Sequence, residues 1–247
     1  THTRSSAASD VYKRQGYDVP TDELKNTASV AGNALLDYLE IDGGFEIEIN
    51  KKIKPGSGIG SSASSAVGSV FGINKLLGEP MKLDDLIQFA MKGEFISSKS
   101  APADNVAAAL HGGLILVNNH EDFKVSKLPA PENLYALVHH PLIEIKTSDS
   151  RHVLPEKIDL DVVPNQLASI GGFIHSLHTV DFNLMKKSLN DFLVEKHRSN
   201  YIPCFKDIKT ATLESGALCC SISGSGPSIF TLAVSYTHLT LPTISWV

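Results

Sequence analysis

Nine consecutive residues, Pro55-Gly56-Ser57-Gly58-Ile59-Gly60-Ser61-Ser62-Ala63, hold the densest chemistry in the sequence. Glycines let a backbone turn tightly and aim several N–H groups into one concavity. The helix expected next adds its unpaired N-terminal N–H groups and positive dipole end, so a polyphosphate suits the place. Ser61 and Ser62 offer hydroxyl donors, or one of them an oxygen ligand for Mg²⁺. The stretch is not a Walker A loop, because no Gly-Lys-Ser/Thr closes it. Nor is it a dinucleotide GxGxxG, because Ser61 stands where the third glycine belongs. A linker that merely caps a helix is the plainer alternative. The strand pattern before the loop and the Ala-rich helix after it, with Gly68 and Gly72 permitting close packing, favour phosphate binding.

Other candidates are scattered along the chain. Leu83, Ile87, Ala90 and Glu94 share one helix face, so Glu94 is a carboxylate on an apolar stripe and needs a cation or donors. Mg²⁺ on a nearby triphosphate is one partner; a lysine such as Lys92 or Lys99 is the other. Asp104 reads either as an N-cap or as a carboxylate gripping an amine or hydroxyl of a small substrate. Arg151 and Arg198 are solvated, or together clamp a substrate carboxylate, and nothing in the sequence brings them together. Ser223-Gly224-Ser225-Gly226-Pro227 is a hairpin turn or a second supplier of backbone N–H groups. The ten histidines pair with no serine or cysteine as a triad would, and His111, His139 and His140 read as structural.

These residues need elements to hold them. Thr21 is a plausible N-cap for a helix that Ala28, Leu35, Leu36 and Leu39 continue until Asp42-Gly43-Gly44 ends it, with Asp22 and Glu23 in its first turn. Phe45, Ile47 and Ile49 alternate with Glu46, Glu48 and Asn50, which predicts a half-buried strand. A helix follows the glycine loop, a second covers Lys82 to Ser98, a third starts near Asp104, and a strand spans Leu114 to Val117. Beyond Pro129 and Pro131, strands are expected at Tyr135–Val138 and Ile143–Lys146, then helices between Asn165 and Asn200 and around Phe205 to Ser215. The glycine turn then leads into the strand Ser228–Val234. Strands mixed with helix runs make this an α+β protein.

The chain of 247 residues, with 42% hydrophobic and 20% charged residues, is that of a globular protein able to bury a core without disulfides. Its apolar runs are too short for a membrane span, and a net charge of −5 argues against backbone-led nucleic-acid binding. Cys204, Cys219 and Cys220 suit a reducing cytoplasm, and no Cys/His metal spacing occurs. Residues 1–15 and 235–247 read as adaptor-like segments foreign to the body. The body divides into an N-terminal lobe, 16–128, and a C-terminal lobe, 129–234.

The loop PGSGIGSSAS, Glu94 downstream, Asp104-Asn105-Val106 and the late SISGSGPS together resemble the galactokinase, homoserine, mevalonate and phosphomevalonate (GHMP) kinase superfamily. ADNVAAALHGGLIL, KTSDSRHVLP, GGFIH and HRSNYIPCF are most similar to the homoserine kinases, and the likeness runs from about Gly16 to Val234. It implies a two-lobed fold, an N-terminal lobe like the second domain of ribosomal protein S5 and a ferredoxin-like C-terminal lobe. It also implies phosphorylation of the side-chain hydroxyl of L-homoserine by ATP and Mg²⁺, a step toward threonine. By the same likeness Lys54 to Ser64 cradle the triphosphate, Asn26 lies near the adenine, and Ser62 and Glu94 hold Mg²⁺. Asp104 engages the acceptor's amino group or hydroxyl, Arg151 and Arg198 its carboxylate, and Thr147 supports them. Mevalonate-type relatives place an aspartate near Asn105 as a base; an amide there implies direct transfer without a protein base. The family's first strands, with an Asn and a Gly-Phe-Asp run, and its last helix and strands have no match here. A fragment incomplete at both ends, poorly active alone, is therefore expected, with a homodimer for the intact enzyme. A mevalonate- or shikimate-type kinase, or a non-catalytic nucleotide-binding fragment, is the alternative.

Overall fold

The computed structural model describes residues 14–17, 19–98, 103–119, 124–143, 145, 150 and 152–234. They fall into two compact units, Thr1–Pro55 with Gly60–Lys127, and Gly56–Ile59 with Leu128–Val247. Strands mixed with helices in both make the protein α+β.

The first unit is built on helices. These are α1 (Thr27–Tyr38), α2 (Ser61–Leu76), α3 (Ile87–Ser98), which a 3₁₀ turn at Asp84–Leu86 leads into, and α4 (Ala103–His111). Leu35, Val70, Ile87, Phe89 and Val106 are almost wholly buried and form the common core of the four. Two short ladders flank them. β1 (Arg14–Gly16) runs parallel to β2 (Ile49–Lys51), and β3 (Leu114–Asn119) pairs with β4 (Lys124–Leu128). β1 takes in Arg14 and Gln15, two residues of the stretch expected to be foreign.

Several expectations are corrected here. Helix α1 starts at Asn26, not Thr21: the Asn26 side chain accepts from the N–H groups of Ala28 and Ser29 and donates to Pro20 O at 2.6 Å. Asp22 instead closes its own turn, through its contact with Lys25 at 2.8 Å. The strand expected over Phe45–Asn50 is confined to Ile49–Lys51. Its burial still alternates, with Phe45 and Ile47 half-buried and Glu46 and Glu48 exposed. Alternation sets which face turns inward, but a strand also needs a partner backbone, and β1 offers three residues. Gly68 and Gly72 do not mediate close packing, since a Cβ on either would meet nothing within 4 Å. That role falls to Gly93 on α3, where a Cβ would lie 2.3 Å from Thr27 O and 3.0 Å from Ala31 Cβ.

The second unit carries an antiparallel sheet in the order β5 (Tyr135–His139), β7 (Ile229–Ala233), β6 (Cys219–Ile222). Its helices are α5 (Val163–Thr179), α6 (Phe182–Ser188), the short α7 (Glu195–Arg198) and α8 (Phe205–Glu214). Ile202, Phe205, Cys220 and Ile229 make its core. The strand expected over Ile143–Lys146 is absent at Ile143 and Ile145; residues 144 and 146 lie outside the described residues. Among the described residues no helix is long and apolar enough to cross a membrane.

Burial pushes the Cys219 thiol up to about 11 from an ordinary 9.0. Between those values the unfolded chain has lost this proton and the folded chain retains it, so stability falls as pH rises. The expected slope is roughly 1.4 kcal/mol for each pH unit. Melting of the wild type and Cys219→Ala from pH 8 to 11 checks this: the variant should lack that part of the alkaline loss.

Candidate active site

The glycine loop adopts a conformation that its sequence requires. Gly56, Gly58 and Gly60 have φ of 72°, 80° and 73°, the left-handed region that other residues enter only with strain. Gly60 is the N-cap of α2 and offers no side-chain cap, so the first N–H groups of the helix keep their donor capacity. Lys54 and Pro55 lead into the loop from β2. Ser61 is not an available hydroxyl donor: its Oγ donates to Ile53 O at 2.8 Å and ties the helix to the chain before the loop. Ser64 donates back to Gly60 O at 2.9 Å, Ala63 is buried in the core, and Ser62 remains half-buried with an uncommitted face.

In the second unit the middle of the loop, Gly56–Ile59, rests on the hairpin turn between β6 and β7. Ser228 N donates to Ser57 O at 3.2 Å, and Ser223 Oγ donates to Gly58 O at 2.9 Å. The Ser223–Pro227 turn is thus both a hairpin and the support of the glycine loop. Ser57 is 2% exposed, and its Oγ has no hydrogen-bond partner among the described residues. A buried hydroxyl of that kind, in a loop of left-handed glycines, fits an anionic oxygen as acceptor.

Arg198, on α7, donates through Nη1 to Gly224 O at 2.8 Å and through Nε to Ser150 O at 3.2 Å. Ser150 in turn donates to Ser225 O at 2.7 Å. The Nε bond brings Arg198 to Ser150, which precedes Arg151 in the chain. Arg151 and Thr147 themselves lie outside the described residues. His140 contacts Ser228 Oγ through Nδ1 at 3.0 Å, and His111 faces Asp84 at 3.0 Å, both structural roles.

In the first unit the remaining candidates gather around the start of α2. Glu94 is 6% exposed on α3, and Ser97 donates to its main-chain O at 3.0 Å and to Oε1 at 3.4 Å. Glu94 is therefore a buried rather than a surface acid, and Lys99, one of the two lysines considered for it, lies outside the described residues. Asp104 is not the N-cap of α4, because the helix already starts at Ala103; it sits exposed in the first turn and accepts from Asn105 N at 2.7 Å. Asn105 Oδ1 lies 3.8 Å from where a Cβ of Gly60 would stand, which brings the start of α4 to the loop end of α2.

Sequence reasoning missed Lys51. It is 8% exposed at the end of β2 and donates to the carbonyl O of Ser61 and the hydroxyl of Ser65. Burial pushes its ammonium below the usual lysine range, and the charge of Glu94 opposes that shift. The available signal was a lysine on the inward parity of the alternating segment, continuing Phe45, Ile47 and Ile49. Lys51 shares with Asn26, Pro55, Ser62 and Ser97 the lining of a cavity of about 280 Å³, in which Val19, Ile49 and Ile96 are apolar. Such a mix of flat apolar wall and a few polar groups suits a heterocycle.

The chain is similar to known proteins along most of its length. A family model described as the GHMP kinases N terminal domain matches residues 25–113. The chain is 38% identical over 226 residues to a homoserine kinase of Chlorobium phaeobacteroides, covering 89% of this chain and 71% of that protein. A homoserine kinase of Thermoplasma acidophilum is 36% identical over 222 residues, covering 89% and 72%. Among solved structures, homoserine kinase from Cytophaga hutchinsonii superposes with a TM-score of 0.86 at 48% identity, covering 89% of this chain and 70% of that one.

Proposed function

The chain belongs to the homoserine kinase family of the GHMP kinases, and from that membership we propose how its residues phosphorylate L-homoserine with ATP. The observation that carries the reading is the approach of Asn105 to Gly60, which joins an acceptor-side segment to the phosphate end of α2. The loop residues 54–64 take the triphosphate, through backbone N–H groups at Gly56–Gly60 and the open N-terminus of α2. The 280 Å³ cavity takes the base, with the Asn26 amide at its edge.

The donor set fits Mg²⁺. Ser62 and the buried Glu94 supply two oxygens, and Mg²⁺ usually completes its six with phosphate and water rather than with an all-protein cage. Among the described residues no group of three acidic, His or Cys ligands exists, so another kind of metal site has no support. When bound, Mg²⁺ neutralises the charge that develops on the transferring phosphoryl group. The protein's own part is positioning. Asp104 orients the acceptor's amino group or hydroxyl, Arg198 and Arg151 take its carboxylate, and Thr147 supports them. The N-terminal lobe, 16–128, serves as the ATP-binding lobe, with 129–234 as the C-terminal lobe. A cytoplasmic location and a homodimer complete the proposal.

Transfer proceeds without a protein base, since the Asn105 amide cannot usefully accept the hydroxyl proton: as the acceptor oxygen bonds to the γ-phosphorus the bond to the β,γ-bridging oxygen breaks, ADP leaves, and the proton passes to a phosphoryl oxygen. Asn105→Ala is therefore expected to lower kcat by less than roughly a thousandfold with acceptor binding kept, the mark of a positioning group. A larger loss with intact binding would overturn the base-free route. The overall test is calorimetric binding of MgATP and L-homoserine to the purified chain, with homoserine-dependent ADP release as the rate. Mevalonate and shikimate serve as competing acceptors; a preference for either would reject homoserine.

A further inference from the structure

We propose that Lys51 is a positioning residue of the phosphate site, whose ammonium braces the first turn of α2 from beneath and so fixes the Gly60–Ser62 end that meets the phosphates. The inference rests on the loop being an ATP site. Two bonds from one side chain reach the turn, to the Ser61 carbonyl and to the Ser65 hydroxyl one turn on. A third attachment, from Ser61 Oγ to Ile53 O at 2.8 Å, grips the same turn from the chain that enters the loop. The first turn of α2 is thus held from β2 by a side chain and from the following segment by a backbone oxygen. The opposite end of that turn carries the left-handed Gly60 and no side-chain cap.

The charge argues for more than packing. Removing an ammonium from water is unfavourable, and an uncharged side chain of the same length would fill the space at less cost. What the ammonium adds is a full positive charge beneath the positive end of α2, where a polyphosphate is to sit. The charge of Glu94, on α3, opposes the effect of burial on that ammonium. Lys51 also lines the base cavity, which leaves a rival role as a contact to the base alone. The two roles differ in what they ask of the ligand: the brace matters for phosphates and the rival for adenine.

The experiment compares the full chain with Lys51→Met and Lys51→Arg by calorimetric titration with ATP and, separately, adenosine, with melting curves on each protein. In Lys51→Met, ATP affinity should fall by roughly thirtyfold while adenosine affinity stays within about twofold. Lys51→Arg keeps the charge but not the donor geometry, and its ATP affinity should fall by about threefold to fivefold with adenosine unchanged. Equal losses for both ligands would overturn the brace in favour of a base contact or general packing, and no loss for either would overturn it outright. Should Lys51→Met fail to melt cooperatively, the same split in Lys51→Arg decides. A wild-type chain that binds adenosine but gains nothing from the phosphates would overturn the ATP-site reading itself, and the inference with it. Intact ATP binding by wild type and Lys51→Met alike would remove the inference alone.

Discussion

Replacing Gly58 by alanine is expected to abolish nucleotide binding at concentrations that saturate the wild type. The glycine sits at φ of 80°, and a Cβ there would lie 2.5 Å from Gly226 O, 2.8 Å from the Gly226 carbonyl carbon and 2.8 Å from Ser223 O. All three are backbone atoms of the hairpin turn, so no flexible side chain can move aside. The turn is itself pinned, by Ser223 Oγ on Gly58 O, by Arg198 on Gly224 O and by Ser150 on Ser225 O. Left-handed strain in a non-glycine residue adds about 1–2 kcal/mol before any clash. Together with the overlap, a loss of roughly 3 kcal/mol or more in the native loop conformation is expected, a factor beyond a hundred in affinity. Calorimetry with MgATP measures it directly. Gly60→Ala, where a Cβ would meet only Asn105 Oδ1 at 3.8 Å, is the control and should lose only the part due to left-handed strain. An ATP affinity in Gly58→Ala within tenfold of the wild type would show that the loop does not bind in the conformation described.

The second large effect is expected at Glu94. Glu94→Gln preserves size and hydrogen-bonding reach but removes the charge that faces Lys51 and, in the proposed site, the metal. With the acid gone, kcat for homoserine-dependent ADP release should fall by roughly a thousandfold or more, as when charge stabilisation at a phosphoryl centre is removed. Stability should fall as well, by about 1–3 kcal/mol, because Lys51 is left as a buried cation with less compensation. The two consequences separate by measurement. Excess Mg²⁺ or Mn²⁺ should recover part of the rate and none of the melting temperature. A variant that loses stability while keeping its rate would assign Glu94 to the fold alone and would remove it from the metal site.

Lys51 shows why part of the site escaped notice in one dimension. Lysines at 51, 52 and 54 look alike in the sequence, and only the parity of the segment sets the first apart. Its burial follows from the parity of the segment and from the arrival of α2 above it, and the second is a tertiary event. Glu94 is a partial case. Its place on the apolar stripe was legible from the i, i+4, i+7, i+11 spacing, but whether that stripe met the core or ran along its edge was not. Asn26 ran the other way. Its capping role lay in plain residue chemistry, yet Thr21 offered equal chemistry five residues earlier. Only the bond from Asn26 to Pro20 O and the separate Asp22–Lys25 turn decided between them.

The residues alone determined the glycine loop, the helix that follows it, the α+β class and the resemblance to the homoserine kinases. Each of these depends on local conformational freedom, on periodicity, or on motif order, which a linear chain expresses directly. The tertiary structure decided which glycines touch something. A Cβ on Gly58 or Gly93 would lie less than 3 Å from backbone, whereas one on Gly68 or Gly72 would meet nothing within 4 Å. It also decided that Arg198 reaches the residue before Arg151, 48 positions away, through Nε on Ser150 O. Close approach and long-range hydrogen bonding depend on where distant segments come to rest, and no local spacing encodes that.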